Sequence, residues 1–307
     1  MEYTRDRVCF IRPKVDKNDY YCRAIELMGY QMLVPYRGNS LIPRIFREAW
    51  LRLRLPGRSL WYNKKIKDVD ADVFILRDSL ITIDFLKWLR KLFPDTRMIL
   101  DYDNIGSTTL DPASIRDSSI EKWSFDVDDC LKYGMKLKPM AFLDVYRISE
   151  KSEPIYDVLY LGRDKGRLDK LLEVEDELTQ MGLRTHFHIC ANRRFQTFSN
   201  KHYKRTISYD EYMELMKKSK AILNYVSRPQ ASMTMRDMEV VFNGIKGITN
   251  NVLAKQFPLY DPSRFFILGE DPIGNLKEFL NTPFRKIEES ELEPYKYGNA
   301  VDEMLRG

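Results

Sequence analysis

Short apolar runs alternate with stretches of helical periodicity along nearly the whole chain. Runs of strand length, rich in Val, Ile, Leu and Met, occur at residues 8–11, 31–34, 73–76, 98–101 and 137–140, and a second series follows at 156–161, 185–189, 221–225, 247–249 and 265–268. Between them, apolar residues recur every three or four positions over 18–28, 41–55 and 81–92, then over 166–181, 209–218, 236–242 and 273–280. Leu168, Leu171, Leu172, Val174 and Leu178 form one such stripe, closed by Gly182 where a C-terminal cap is expected, and Pro94 stops the helix of 81–92. Strand-length runs separated by helical patterns predict βαβ units and mostly parallel sheets.

The pattern breaks once. AFLDVYRISEKSEP is polar and carries a proline, after which IYDVLYLG begins a fresh strand, so a hinge is expected near 148–154. At 307 residues the chain exceeds the length at which one hydrophobic core keeps growing. Two Rossmann-like α/β domains, 1–150 and 151–285, follow from this, with a charged, mildly helical tail at 286–307 that is expected to fold back on the first.

Composition adds limits. With 44% hydrophobic, 31% charged and 12% aromatic residues the chain reads as globular, not disordered. No run approaches the 18 or so apolar residues of a membrane span, and the start lacks the features of a secretory signal, so a cytoplasmic protein is expected. Cys9, Cys22, Cys130 and Cys190 lie far apart with no C-x-x-C pair, which points to reduced thiols. The net charge of +5 is uneven: the first 67 residues hold 15 Lys/Arg against 6 Asp/Glu, leaving the remainder net acidic.

Two segments of the second half suit a nucleotide diphosphate. LGRDKGRL places Gly162, Arg163, Lys165, Gly166 and Arg167 in the turn that opens a helix, at the carboxyl edge where ligands of doubly wound sheets bind. RPQASMTMRDMEVVFNGIKGITNN runs from a Ser/Thr-bearing loop into a helix with one glutamate, Glu239. Amides and dipole at a helix N-terminus hold phosphate oxygens, and a carboxylate farther along can accept from ribose hydroxyls. The G-x-x-x-x-G-K-[ST] spacing of a Walker loop is absent.

In order and spacing this pair of segments resembles the donor half of GT-B glycosyltransferases, and most nearly the bacterial branch that assembles capsular and lipopolysaccharide sugars. The likeness covers roughly residues 120–280. It implies two Rossmann-like lobes facing across a cleft, a nucleotide sugar, UDP-linked, held mainly by the second, and a glycan acceptor, lipid-linked, met by the first. Position by position it implies that Arg163 and Lys165 contact the diphosphate beside Gly162. Phosphates would fall on backbone groups around Ser232, Thr234, Met235 and Arg236, the base on the main chain of Ile207 and Ser208, and the ribose on Glu239. The second glutamate that many retaining members carry eight positions earlier is Ala231 here, with Gln230 beside it, so the stereochemical course is left open. An inverting course would need a base from the first lobe, and Asp16 and Asp19, after the first strand, are the candidates. No metal is implied.

Other constellations read differently. Asp101-Tyr102-Asp103 follows an apolar strand and imitates the D-x-D of metal-dependent GT-A transferases, but Asp68-Val69-Asp70 and Asp126-Val127-Asp128 match it too. His186, His188 and Cys190 share one strand face at zinc-ligand spacing, where core packing is the stronger expectation. The stretch 40–65 interleaves Leu41, Ile42, Ile45, Phe46, Trp50, Leu53, Leu60 and Trp61 with Arg44, Arg47, Arg52, Arg54 and Arg58. That is the composition of a helix lying in an anionic membrane interface, with Arg44, Arg47, Trp50, Arg52 and Arg54 as its contacts. No RRM, KH or zinc-finger pattern supports nucleic-acid binding. The sequence is read as a metal-independent GT-B glycosyltransferase. The alternatives are a metal-dependent GT-A-like transferase using Asp101 and Asp103, or a non-catalytic basic α/β protein that binds nucleic acid or membrane.

Overall fold

The computed structural model describes residues 3–15, 19–38, 40–79 and 81–307. The chain divides into two compact units, Met1–Pro139 with Gly298–Gly307, and Met140–Tyr297. Residues 140–150 and 286–297 therefore fold with the second unit, and 298–307 complete the first.

The first unit holds a six-stranded sheet: β1 (Val8–Ile11), β2 (Gln31–Leu33), β3 (Val73–Arg77), β4 (Arg97–Tyr102), β5 (Ile120–Ser124) and β6 (Lys136–Leu137), in the order β2-β1-β3-β4-β5-β6. Every pairing is parallel. Its helices are α1 (Tyr20–Leu27), α2 (Leu41–Arg52), α3 (Ile83–Leu92) and α4 (Val127–Tyr133). Alternate strand residues Cys9, Ile11, Phe74, Leu76, Met98, Leu100 and Tyr102 share one core with Phe85, Leu86 and Leu89 of α3. All of these are essentially sealed from water, which explains the continuous apolar runs: a parallel strand covered on both faces has no polar side. Each such side chain contributes about 1.5–3 kcal/mol, and Phe74→Ala would cost about 3–5 kcal/mol.

The second unit repeats the plan with β7 (Tyr156–Arg163), β8 (Thr185–Cys190), β9 (Ser219–Asn224), β10 (Lys246–Thr249) and β11 (Phe265–Ile267), again all parallel, in the order β11-β10-β9-β7-β8. Helices α5 (Leu168–Gln180), α6 (Tyr209–Lys217), α7 (Met235–Asn243), α8 (Leu276–Asn281) and α9 (Glu289–Leu292) cover it, and α10 (Tyr297–Arg306) ends the chain. The stripe read along α5 is buried at Leu171 and Leu178, against Tyr160, Phe187 and Ile189.

Three elements differ from the pattern read off the sequence. The strand expected at 137–140 is the two-residue β6, and β5 and α4 were not anticipated. IEKWS buries Ile120, Trp123 and Ser124 but interrupts the run with Glu121 and Lys122, and α4 is seven residues with two aspartates in its first turn. Neither carries enough periodicity to stand out.

Candidate functional site

In the second sheet β7 leads by α5 to β8 on one side, and the chain then crosses back to β9 on the other. The switch point of the sheet lies between the carboxyl ends of β7 and β9, where doubly wound sheets open a crevice. Both segments singled out in the sequence meet there. The turn 163–167 follows β7, and the loop 225–234 follows β9 into α7. Two arginines tie them together. Arg167 donates to the Tyr225 carbonyl, and Arg236 Nη2 donates to the Leu161 carbonyl at 2.7 Å.

The turn is tightly built. Lys165 and Gly166 adopt consecutive left-handed conformations, φ 49° and 77°. For a lysine this costs on the order of 1 kcal/mol. At Gly162 an added Cβ would lie 2.9 Å from the Tyr160 hydroxyl, so a side chain there would have to push Tyr160 aside. Asp164, buried, accepts from the Arg167 and Leu168 amides at 2.7 Å each and from the Tyr203 hydroxyl at 2.9 Å. The amides opening α5 are thereby satisfied by a carboxylate of the protein itself.

The cations divide into two kinds. Arg167 is a staple: it also donates to the carbonyls of Asp164 and Arg163 at 3.0 and 2.8 Å and to Tyr160 Oη at 3.2 Å. Arg236 is another, held to Glu239 Oε2 at 2.7 Å and lying 4.6 Å from the centre of the Tyr212 ring. Arg163 and Lys165 remain exposed. Asn192 fixes both, taking Arg163 Nη1 on its carbonyl at 2.9 Å and the Lys165 amide on Oδ1 at 2.7 Å. Desolvation, then Arg167 and Arg163, lower the Lys165 ammonium from its ordinary value.

At the other side of the switch point, Asp237 accepts from the Thr234 amide at 2.7 Å and the Thr234 hydroxyl at 2.9 Å, while Asn224 at the end of β9 donates to Thr234 Oγ1 and Asp237 Oδ1. By helix geometry the Met235 and Arg236 amides have no intrahelical acceptor. Ser232 is buried in the preceding loop. Asn250 and Asn251 each bridge that loop twice, to the amide and carbonyl of Val226 and of Gln230. These asparagines, with Asn192 and Asn224, were not singled out in the sequence. For Asn250 and Asn251 the one signal was the ITNN run itself.

Glu239 is only 2% exposed. Its Oε1 accepts from Tyr209 at 2.9 Å, and its Oε2 from Tyr212 at 2.7 Å and from Arg236. Burial pushes its carboxyl up, against the pull of Arg236 and Tyr209. A carboxylate oxygen has two acceptor positions, so Oε1 alone keeps one free. Ser208 caps α6, its own amide is taken by Glu211 Oε2 at 2.8 Å and its carbonyl accepts from the Tyr212 amide at 3.1 Å, so the Ile207 amide and carbonyl are the main-chain groups left for a base. Asp19 likewise caps α1, accepting from the Cys22 amide at 3.0 Å, and Asp16 lies outside the described residues.

The remaining candidates fall elsewhere. Asp101 and Asp103 stand at the carboxyl edge of the first sheet. Lys138 Nζ reaches Asp101 Oδ1 at 2.5 Å and Asp103 Oδ1 at 3.0 Å, and Arg77 and Arg12 approach Asp103 from the other side. Burial, then the Asp103 charge, raise Asp101; burial also opposes the Asp103 charge, but Lys138, Arg77 and Arg12 overrule it and hold that carboxyl low. Two buried cations, Lys138 and Arg12, and the half-buried Arg77 already fill the place a divalent ion would take, so this D-x-D is an ion-pair knot. Among the described residues no three His, Cys, Asp or Glu side chains form a metal-binding group. His188 Nε2 lies 2.7 Å from the Arg205 carbonyl, and His186 and His188 stack at 6.2 Å.

On α2 the expected contact set needs one correction. Arg47 is 3% exposed, donates to the Arg37 carbonyl at 3.0 Å and stacks on Tyr36, so it belongs to the unit's interior. Trp50 is half-buried against Trp61, its Nε1 donating to the Pro56 carbonyl at 3.0 Å. Arg44, Arg52 and Arg54 are exposed, and beside them so are Ile42, Ile45, Phe46 and Leu53, at 58–69%. No helix among the described residues is long and apolar enough to cross a membrane.

No family model and no curated protein matches the sequence. Among solved structures the chain is similar to a 2.2 Å crystal structure from Listeria monocytogenes assigned as a UDP-N-acetylglucosamine 2-epimerase, at 9% identity over 98% of this chain and 95% of that one, with a TM-score of 0.51. At that identity the likeness shows the fold: two parallel α/β Rossmann-like units of the GT-B type.

Proposed function

We propose that the chain is a nucleotide-sugar enzyme whose second unit holds a UDP-sugar at the β7/β9 switch point and transfers the sugar to a glycan acceptor. The observation that carries this reading is the pair of exposed cations, Arg163 and Lys165, set in a left-handed turn beside the α7 N-terminus. In this reading they neutralise the departing diphosphate, with the Met235 and Arg236 amides behind it, and no metal is needed. The vacant acceptor position on Glu239 Oε1 takes a ribose hydroxyl, and the base lies along the main chain of Ile207 and Ser208. An inverting course draws its base from the loop after β1, Asp16 before Asp19, since Asp19 is engaged as a helix cap. A lipid-linked acceptor of bacterial surface polysaccharide synthesis agrees with the exposed apolar and cationic face of α2, which would lie in the membrane interface.

Epimerisation of a UDP-sugar is the second reading, favoured by the fold likeness to the Listeria protein. Both readings place a diphosphate on the same donors. Calorimetric titration with UDP is expected to show binding that Arg163→Ala and Lys165→Ala each weaken by about tenfold, the worth of one charge-assisted contact. Equal UDP affinity in parent and variants would remove the site. Incubation with UDP-N-acetylglucosamine then separates the chemistries: a C2 epimer formed without acceptor marks epimerisation, and UDP released only with acceptor marks transfer.

A further inference from the structure

We propose that the first unit carries a second binding site, for a single-chain amphipathic anion, in the groove between α3 and the segment 113–120. The cavity measures about 600 Å³, and neither Asp101 nor Asp103 lines it. That volume is of the size that takes one small molecule, about 300–1,000 Å³. Its floor is apolar, formed by Ile83, Leu86, Ile115 and Ile120.

Its rim is cationic. Of the charged side chains there, Arg90 and Asp117 are spoken for. Arg90 donates from Nη1 to the carbonyls of Phe93, Pro94 and Thr96 at 2.8–3.3 Å, and its Nε faces Asp117 Oδ2 at 3.7 Å. Asp117 also accepts the Ser119 amide at 2.9 Å and its hydroxyl at 2.5 Å. Lys87, Lys91 and Arg116 are exposed, and no hydrogen bond or ion pair is found for them among the described residues. Lys87 and Lys91 stand one turn apart on the same helix face, where like charges repel. Leu86, Ile115 and Ile120 are themselves buried, and the groove above them is walled by half-buried Ile83 and the alkyl stems of Lys87 and Lys91. An apolar-walled cavity beside three unneutralised cations is complementary to a molecule with an alkyl chain at one end and an acid at the other. A neutral lipid would leave the rim unpaired, and a bare anion would leave the floor wet. The occupant to which the groove commits is therefore a single-chain alkyl acid, a phosphate or carboxylate, in monomeric form.

The test is calorimetric titration of the whole protein with dodecyl phosphate below its critical micelle concentration, with dodecanol and inorganic phosphate as controls. Saturable one-to-one binding is expected, with both controls at least tenfold weaker. Lys87→Glu/Lys91→Glu/Arg116→Glu, all exposed positions, should weaken dodecyl phosphate at least tenfold. Ser114→Trp, which fills the groove from an exposed turn, should do the same, both proteins melting at the parent temperature. Absence of saturable binding overturns the proposal, as does equal binding by both variants or inorganic phosphate binding as tightly as dodecyl phosphate. So does charge reversal that releases the protein from anionic vesicles yet leaves dodecyl phosphate binding intact, for then the cations serve a membrane surface and not the groove. None of these outcomes involves the nucleotide site.

Discussion

At the scale of single residues, burial decides which charged side chains are structural and which are free to meet a ligand. Glu239→Ala would strip Arg236 of its counter-charge in a sealed setting and remove the carboxylate to which the Tyr209 and Tyr212 hydroxyls donate. We expect it to cost about 3–5 kcal/mol in urea unfolding, more than the loss of one ribose contact. Tyr209→Phe is the cleaner probe of the nucleotide role, because it frees an acceptor position on Oε1 and removes no charge. Glu121 shows the opposite case at the surface. Burial works against its charge, but Arg97, Lys136 and Trp123 donate to it and hold its carboxyl down to about 2. A depressed carboxyl contributes stability that is present above its unfolded value, near pH 4, and is lost as pH falls toward 2. Discounted for its solvent-facing side, this amounts to about 1–2 kcal/mol. Glu121→Gln should thus lower the melting temperature at pH 7 and match the parent near pH 2.

At the scale of elements, legibility followed periodicity. β1 and β10 were read within a residue of their bounds, from the continuous apolar run Val8–Ile11 and from the β-branched Ile248 and Thr249 after a glycine, and α6 from its apolar periodicity, to which the structure adds a Ser208–Glu211 capping box. The convergence of 163–167 with the α7 start was legible too, since parallel order sends both to the same edge. What could not be read was occupancy. LGRDKGRL offers three cations, but nothing local says that Arg167 will turn inward to Tyr225 while Arg163 and Lys165 stay out. The same holds for α2, whose five-arginine neighbourhood gave no sign that Arg47 would close over Tyr36. For that helix we expect Ile45→Asp/Phe46→Asp to abolish sedimentation with anionic vesicles. Each of Arg44→Glu, Arg52→Glu and Arg54→Glu should weaken it about fivefold or more, near 1 kcal/mol per lost cation. Arg47→Glu should instead lower the melting temperature.

At the scale of the whole molecule, the two units have separate cores and separate buried charge centres. Lys138→Ala would leave Asp101 and Asp103 facing one another without their shared cation, and we expect a loss of about 3–5 kcal/mol confined to the first unit. Calorimetry of Lys138→Ala and of Glu239→Ala should move different unfolding transitions, and a common shift of one transition would show the units to be thermodynamically coupled. EDTA should leave both unmoved, because Lys138, Arg77 and Arg12 already supply the positive charge at Asp101 and Asp103.

The first unit is also discontinuous in sequence. Arg97 grips the Met304 carbonyl at 2.8 Å and that of Leu305, and Val301 and Met304 of α10 are sealed in its interior. A ribosome releases the chain from the amino end, so the second unit has every residue it requires before the first does. The usual vectorial order is thereby reversed: residues 1–139 must wait, with one hydrophobic flank open, for residues 298–307 to arrive. Nascent chains halted short of Gly298 would be the species that chaperones meet.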